Sequence, residues 1–165
     1  MKSRSVVLDA NLLVLFVVGR SSRSHIARHK RLQQYDIAAY ELLAERLAAV
    51  PHVVVTPNVL TEASNLLSRG TEPARSEIMV TLQALIQNLG DSLTRGGVDE
   101  RYVPSAQAAA RGEFVSLGLT DSAILESSDE NTVLLTDDLE LYLSALRDGH
   151  SAEYFTYSRR AAGIL

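Results

Sequence analysis

The chain has 165 residues, of which 46% are hydrophobic and 22% charged, and its formal net charge at pH 7 is −4. This length and composition predict one globular domain with a substantial core. The sequence contains no cysteine, which excludes disulfides, thiolate metal sites and a cysteine nucleophile and is compatible with a reducing cytoplasm. The negative balance does not by itself predict a nucleic-acid binder.

The first apolar segment, residues 5–19, is interrupted by Asp9 and Asn11. Its uninterrupted part, residues 12–18, is far shorter than the ~20 residues that span a bilayer. We therefore expect neither a signal peptide nor contact with a membrane. An unpaired buried carboxylate is costly, so Asp9 is expected either to cap a helix or to bind a cation.

Hydrophobic periodicity predicts the first half of the chain as a strand, two helices and a second strand. The strand at 6–8 leads into residues 12–18, which fit a strand or a buried helix. An N-cap at Asp9 or Asn11 favours the helix. A polar segment follows, and then come a helix at 36–49 that Pro51 ends and a strand at 53–55.

The second half of the chain predicts mainly helices. Thr56 and Pro57 are suited to the start of the first of them, and glycines at 96, 97 and 118 are expected to break later ones. The predicted helices cover residues 57–67, 71–93, 104–117, 120–125 and 136–147, and the predicted strands cover 133–135 and 154–157. Short apolar strands that alternate with helices predict an α/β fold with a mainly parallel sheet.

Acidic residues follow three of the predicted strands. Asp9 follows the first strand, Glu62 lies in the helix after the second, and Asp137 and Asp138 follow the third. Asp121 begins a helix that could approach the same place. Because ligand sites in parallel sheets collect at the carboxyl ends of the strands, we expect these acids to lie close together.

Each of the aspartates taken alone is explained as a helix cap or as an acid near the positive end of a helix dipole. Glu62 is harder to explain in this way, since apolar residues flank it on a helix that is expected to be largely buried. Four carboxylates close together without a cation would repel one another and raise one another's pKa values. One or two Mg²⁺ or Mn²⁺ ions with oxygen ligands would remove this conflict. Such ions activate water and offset charge in phosphodiester hydrolysis.

Other acidic or metal sites fit the sequence less well. A phosphorelay receiver needs a lysine after a late strand, but the lysines here are Lys2 and Lys30. A dehalogenase-like phosphatase needs D-x-D after the first strand, where this chain has D-A-N. The four histidines are scattered, and there is neither a Walker phosphate loop nor a serine nucleophile elbow.

The succession LDAN, TPNVLTEASNLL, GLTDSAI and LLTDDLELY resembles the PIN domain family, which includes VapC-type toxins and other ribonucleases. The resemblance covers nearly the whole chain in the right order. It implies one nuclease domain over residues 1–165, with the three-layer α/β/α sandwich of that family and a central, mainly parallel sheet. A basic insertion at about 20–34 departs from small VapC-like chains.

The resemblance also implies the roles of the acidic residues. Asp9, Glu62, Asp121 and Asp138 would bind Mg²⁺ or Mn²⁺ and catalyse hydrolysis of single-stranded RNA to 5′-phosphate and 3′-hydroxyl ends. The family's usual Thr-x-Asp selects Asp138 over Asp137, which stays a close second. The remaining supporting residues would be Asn11, as a hydrogen-bond partner or cap, and Thr136.

The insertion carries a local positive charge, because no acid occurs between Asp9 and Asp36. It is expected to contact RNA phosphates, or else to be a solvated loop or a docking site for an acidic partner. The candidate contact residues are Arg20, Arg23, Arg28, Lys30 and Arg31. Tyr35 or Tyr40 is a further candidate for base stacking, although helical spacing favours core packing for Tyr40.

The sequence thus predicts a cytoplasmic metal-dependent endoribonuclease, and its motifs are compatible with toxin, RNA-processing and defence roles alike. The family resemblance adds an antitoxin protein and a homodimer as candidate partners. The alternatives are a non-catalytic RNA- or protein-binding module on the same fold and a metal-dependent DNA nuclease.

Overall fold

The computed structural model describes residues 4–91 and 95–165, and five parallel strands form its central sheet. The strand order is β3-β2-β1-β4-β5, so the first strand is central. The strands are β1 (Ser5–Leu8), β2 (His52–Val55), β3 (Gly97–Glu100), β4 (Thr132–Thr136) and β5 (Ala152–Tyr154). Because the strands are parallel, their carboxyl ends all lie at one edge of the sheet, which we call the carboxyl edge.

Helices cover both faces of the sheet, and the predicted three-layer α/β/α architecture is confirmed. The helices are α1 (Ala10–Ser21), α2 (Arg23–Ile26), α3 (Ile37–Ala48), α4 (Pro57–Leu67), α5 (Ala74–Gln87), α6 (Ser105–Ala109), α7 (Phe114–Ser127), α8 (Leu139–Arg147) and α9 (Phe155–Ala161). Helix α1 packs against α3, α4 and α5, while α7 packs against α4 and α8. Within the described residues, no helix combines the length and the apolar character needed to cross a membrane.

Strand β1 forms the centre of the core. Val6, Val7 and Leu8 are fully buried, as expected for a parallel strand with helices on both faces. Its register fixes the site described below, since Leu8 lies opposite Leu135 of β4 and Val7 lies opposite Val54 of β2. The strands therefore end side by side, and the residues that follow them meet at the carboxyl edge.

The helices that follow β1, β2 and β4 begin in the same way. Asp9, Thr56 and Asp138 are N-caps whose side-chain oxygens accept the backbone N–H three residues on, at 2.8, 3.2 and 3.0 Å. This settles residues 12–18 as a helix capped by Asp9. The caps turn the chain sharply at the carboxyl edge and leave two carboxylates there.

Helices α1 and α3 approach each other closely at Gly19. A Cβ atom at this position would lie 2.2–2.6 Å from three atoms of the Tyr40 ring. Tyr40 itself is buried, which confirms its prediction as a core residue and excludes it as a base-stacking platform.

We expect Gly19→Ala to lower the free energy of unfolding by about 1–2 kcal/mol, because overpacking outweighs the gain in helix propensity. Urea unfolding measures this change. In a Tyr40→Leu background, which removes the ring, the same substitution should be close to neutral. An equal cost in both backgrounds would contradict the assignment of this contact.

Several predicted elements have different boundaries in the structure. The strand Gly97–Glu100 was missed because it is a half-exposed edge strand that begins with a glycine predicted only as a helix breaker. The helix predicted at 71–93 spans only Ala74–Gln87, since Pro73 restricts the residue before it and Gly90 adopts a positive φ of 78°. Leu93 lies outside the described residues. The predicted helix break at Gly118 is confirmed, where φ is 81°.

Two further segments were predicted with the wrong length or type. The helix expected over 104–117 is divided into α6 and the start of α7. The last strand was predicted at 154–157, but β5 ends at Tyr154 and Phe155 begins α9. The reason lies outside the segment, because the carboxylate of Asp137 accepts the backbone N–H of Thr156 at 2.8 Å and so stabilises a helix start.

Candidate functional site

Asp9 lies at the end of the central strand, and both of its carboxylate oxygens accept hydrogen bonds. Its Oδ1 accepts the N–H of Leu12 at 2.8 Å, while its Oδ2 accepts the hydroxyl of Thr136 and, at 3.3 Å, the N–H of Asp137. The residue is only 3% exposed. Thr136, predicted as a supporting residue, therefore contacts Asp9 directly. Asn11 is exposed, and within the described part of the chain its side chain makes no hydrogen bond.

Burial dominates the protonation of Asp9. It raises the pKa of this carboxyl from the ordinary 3.8 to about 6, against the lowering effect of the hydrogen bonds from Thr136, Leu12 and Asp137. A carboxylate in this environment is stabilised by a nearby positive charge.

Asp121 is half-buried on α7 and faces several negative charges. Burial and then repulsion raise its pKa to about 7, and the repelling groups, largest first, are Asp138, Asp9, Glu62 and Glu140. Its own carboxylate makes no hydrogen bond or ion pair among the residues described. The other three acids predicted from the sequence thus act electrostatically on Asp121.

Glu62 and Asp138 are the exposed members of this group. Helix α4 was expected to be largely buried around Glu62, but it is amphipathic and Glu62 lies on its exposed side. One oxygen of Asp138 caps α8, and its backbone N–H donates to Thr136 at 3.0 Å. Exposed side chains change rotamer rapidly, so both can move toward a ligand at this edge.

Asp137 has a different environment from Asp138. Its Oδ2 accepts the hydroxyl of Tyr35 at 2.8 Å, and its Oδ1 accepts the N–H and the hydroxyl of Thr156 at 2.8 and 2.6 Å. Arg159 lies 4.0 Å from the same carboxylate and 5.1 Å from the centre of the Tyr35 ring. Both oxygens of Asp137 are therefore engaged in hydrogen bonds, whereas the charge of Asp138 is the largest of the charges that raise the pKa of Asp121.

Tyr35 is consequently a structural residue and not a base-stacking platform. It is 6% exposed, and burial and the charge of Asp137 raise the pKa of its hydroxyl, which keeps it a donor. It connects the segment after α2 with the residue whose backbone N–H donates to Asp9.

We expect Tyr35→Phe to lower the free energy of unfolding by about 1–2 kcal/mol, because the partly buried Asp137 loses a donor. If Asp137 positions Asp9, any RNA cleavage should also fall by about 10-fold. Urea unfolding and an RNA cleavage assay measure the two effects. Tyr102→Phe is the control, since Tyr102 is 75% exposed. Equal free energies of unfolding and equal cleavage rates for Tyr35→Phe and Tyr102→Phe would contradict the role of Tyr35.

The donors at the carboxyl edge suit a hard divalent cation, because they are carboxylate oxygens. Burial raises the pKa values of Asp9 and Asp121, and for Asp121 repulsion by neighbouring acids adds to this effect. Across residues 4–91 and 95–165, however, no three His, Asp or Glu side chains are grouped closely enough to hold a metal ion. Binding with three or more carboxylates would therefore require Glu62 or Asp138, both exposed, to change rotamer.

A cavity of about 450 Å³ lies between α4 and α7 beside Glu62. Its walls include Asn58, Thr61 and Asn65 on α4, and Leu119 and Thr120 next to Asp121. Hydroxyl and amide groups of this kind can hydrogen-bond a polar ligand. Asn58 and Asn65 were not predicted from the sequence, although both lie on the same helical face as Glu62, at i−4 and i+3. Glu140, which follows Asp138 by two residues, was not predicted either.

The candidate RNA-contact residues divide into two groups. Arg23 pairs with Glu41 at 2.7 Å and lies 5.4 Å from the centre of the Tyr40 ring, and Arg20 lies 6.0 Å from the centre of the Phe16 ring. Arg28, Lys30 and Arg31 instead line a second cavity, of about 470 Å³, between the segment after α2 and the α4–α5 connection. The structure therefore places three of the five residues around this cavity and the other two outside its lining.

No protein-family model matches the chain, and no curated protein matches it. Among solved structures, the chain is similar to a domain of a functionally unknown protein from Methanocaldococcus jannaschii DSM 2661. The two share 18% identity over 92% of this chain and 91% of that chain, with a TM-score of 0.47. A similarity at this level carries no information about activity, so the resemblance to the PIN domain family stays a prediction from the sequence motifs.

Proposed function

We propose that this protein is a Mg²⁺- or Mn²⁺-dependent endoribonuclease that hydrolyses single-stranded RNA. The observation that carries the proposal is the environment of Asp121, whose pKa is raised to about 7 by burial and by Asp138, Asp9, Glu62 and Glu140. Strongly perturbed carboxyl groups beside a cavity are typical of functional sites. The four motifs that resemble the PIN domain family select RNA as the substrate.

In this proposal, Asp9 and Asp121 would hold the ion, together with Glu62 and Asp138. The chemistry that such an ion supplies is the activation of water and compensation of the charge that develops on the attacking and leaving oxygens. Leu12 and Thr136 orient the Asp9 carboxylate through their hydrogen bonds. Asp121 must release its proton before it can bind a cation, and its pKa of about 7 makes this release easy near neutral pH.

A non-catalytic RNA- or protein-binding module is the second candidate. One observation favours it, namely that no three potential ligands are grouped for metal binding in the part of the chain that the structure describes. Wild-type protein that binds RNA but does not cleave it with any divalent ion would support this candidate and overturn the first.

The test is an RNA cleavage assay with a 5′-labelled single-stranded substrate in Mn²⁺, in Mg²⁺ and in EDTA. We expect cleavage with either ion and none in EDTA, and equimolar unlabelled RNA should compete better than unlabelled DNA of the same sequence. Stronger competition by DNA would reassign the substrate, and cleavage that persists in EDTA would exclude the metal-dependent reaction.

The roles of partners rest on the resemblance alone. A toxin would be paired with an antitoxin from a neighbouring reading frame, and a homodimer would show a doubled mass in solution. The absence of cysteine is compatible with action in the cytoplasm.

A further inference from the structure

The second cavity, lined by Arg28, Lys30 and Arg31, differs in charge from the acidic carboxyl edge. Arg69, in the turn after α4, lines the same cavity although it is 38 residues from Arg31 in sequence. All four cationic side chains are exposed, and within the described residues none of them makes a hydrogen bond or ion pair. Four unpaired cations around one concavity repel one another and attract an anion.

The acidic group on the rim does not neutralise this charge. Glu72 also lines the cavity, but its carboxylate is already engaged by Arg75 at 3.1 Å and by the N–H of Ser76 at 3.2 Å. The cavity therefore keeps a net positive charge in a protein whose overall charge is −4.

The interior of the cavity contains an imidazole and apolar side chains. His25 lines it, and the Nδ1 of this residue is buried without a hydrogen-bond partner among the described residues, while its Nε2 lies 2.7 Å from Glu77. Leu66 and Ile78 supply apolar surface. The volume of about 470 Å³ lies within the range of small-ligand pockets. Cations at the rim with apolar walls suit a phosphate group that carries a sugar and a base.

The cavity and the acidic edge share helix α4. Leu66, which lines the cavity, lies one turn after Glu62, about 6 Å farther along the helix axis. Leu66 is buried, whereas Glu62 is exposed.

We propose that this cavity is a second contact site for the RNA strand, binding a phosphate and its nucleoside outside the acidic edge. The proposal rests on the proposed ribonuclease function, since it assigns the cavity to the same substrate. The proposal adds Arg69 to the candidate RNA contacts. It removes Arg20 and Arg23 from them, because these two residues do not line the cavity.

The test measures binding and not cleavage, so that its failure is distinct from failure of the proposed function. Fluorescence anisotropy of a labelled single-stranded RNA is recorded in EDTA over a range of salt concentrations. We expect Arg28→Gln/Arg69→Gln to bind about 10-fold more weakly and to reduce the salt slope by about 1.4, which is about 0.7 for each phosphate that the variant no longer neutralises. Arg28→Lys/Arg69→Lys, which keeps both charges, should bind nearly as the wild type does.

The matched control is Arg4→Gln/Arg160→Gln, which removes two cations outside the cavity, at positions 4 and 160. Thermal unfolding verifies that each variant is folded. Equal loss of RNA binding in the two glutamine pairs would overturn the proposal, as would wild-type protein that binds no RNA. A parallel titration with AMP tests a free nucleotide, and loss of AMP binding without loss of RNA binding would also overturn it. If the protein binds RNA through the cavity but never cleaves it, only the proposed ribonuclease activity is refuted.

Discussion

If the proposed reaction is correct, Asp121→Asn should reduce RNA cleavage by about 100-fold or more, because it removes a charged oxygen that the proposal assigns to the metal ion. Asparagine has nearly the same shape, so the packing of α7 should be unchanged. Asp9→Asn should have a similar effect, since it also disturbs the carboxylate that Leu12 and Thr136 orient. Initial rates on labelled RNA in saturating Mn²⁺ measure both.

Glu130→Gln is the control for this loss, because it removes one negative charge from the loop before β4, at the opposite end of the strands. Its cleavage rate should match that of the wild type. Cleavage by Asp121→Asn at the wild-type rate would contradict the assignment of the acidic edge as the reaction centre, even if the protein proved to be a nuclease.

The metal-free protein should become less stable as the pH rises. Asp9 and Asp121 have an ordinary pKa of 3.8, but in the folded protein their values are about 6 and about 7. Between pH 4 and 7 the folded state therefore binds more protons than the unfolded state, and the free energy of unfolding falls as pH increases. Well above pH 7 the two carboxyl groups are ionised in the folded and in the unfolded state. The free energy of unfolding then no longer depends on pH through these groups.

From pH 5 to pH 8 we expect these two groups to lower the free energy of unfolding by roughly 2–3 kcal/mol, with the contribution of the half-exposed Asp121 discounted for solvent screening. Urea unfolding in EDTA measures this decrease. Asp121→Asn should be more stable than the wild type at pH 8 and nearly equal to it at pH 5. If Asp121→Asn is less stable than the wild type at pH 8, the Asp121 carboxylate makes stabilising contacts, and its repulsion by neighbouring acids does not destabilise the folded protein.

Much of the fold follows from local sequence patterns. The branched run 6–8 and the cap at Asp9 predicted the central strand and α1, and the Thr56–Pro57 pair predicted the start of α4 correctly. These signals lie within a few residues of the structure that they specify. Because they also fix where each strand ends, the convergence of the acids at one edge could be anticipated.

Other features depend on contacts between distant residues, and local patterns do not encode them. The helix start at Phe155 depends on Asp137, 18 residues earlier, and the edge strand Gly97–Glu100 depends on pairing with β2. The different hydrogen bonding of Asp137 and Asp138 likewise depends on a distant residue, because Tyr35 donates to Asp137. Arg69 lines the basic cavity only because the α4–α5 connection packs against the segment after α2.

The most direct test of the acidic edge as a metal site is calorimetric titration of the wild type with Mn²⁺ at pH 7.5. We predict saturable binding that Asp121→Asn and Asp9→Asn abolish or weaken at least 10-fold and that Glu130→Gln leaves unchanged. Absence of Mn²⁺ binding to the wild type, or equal binding by all four proteins, would contradict the central claim that these carboxylates hold a catalytic cation.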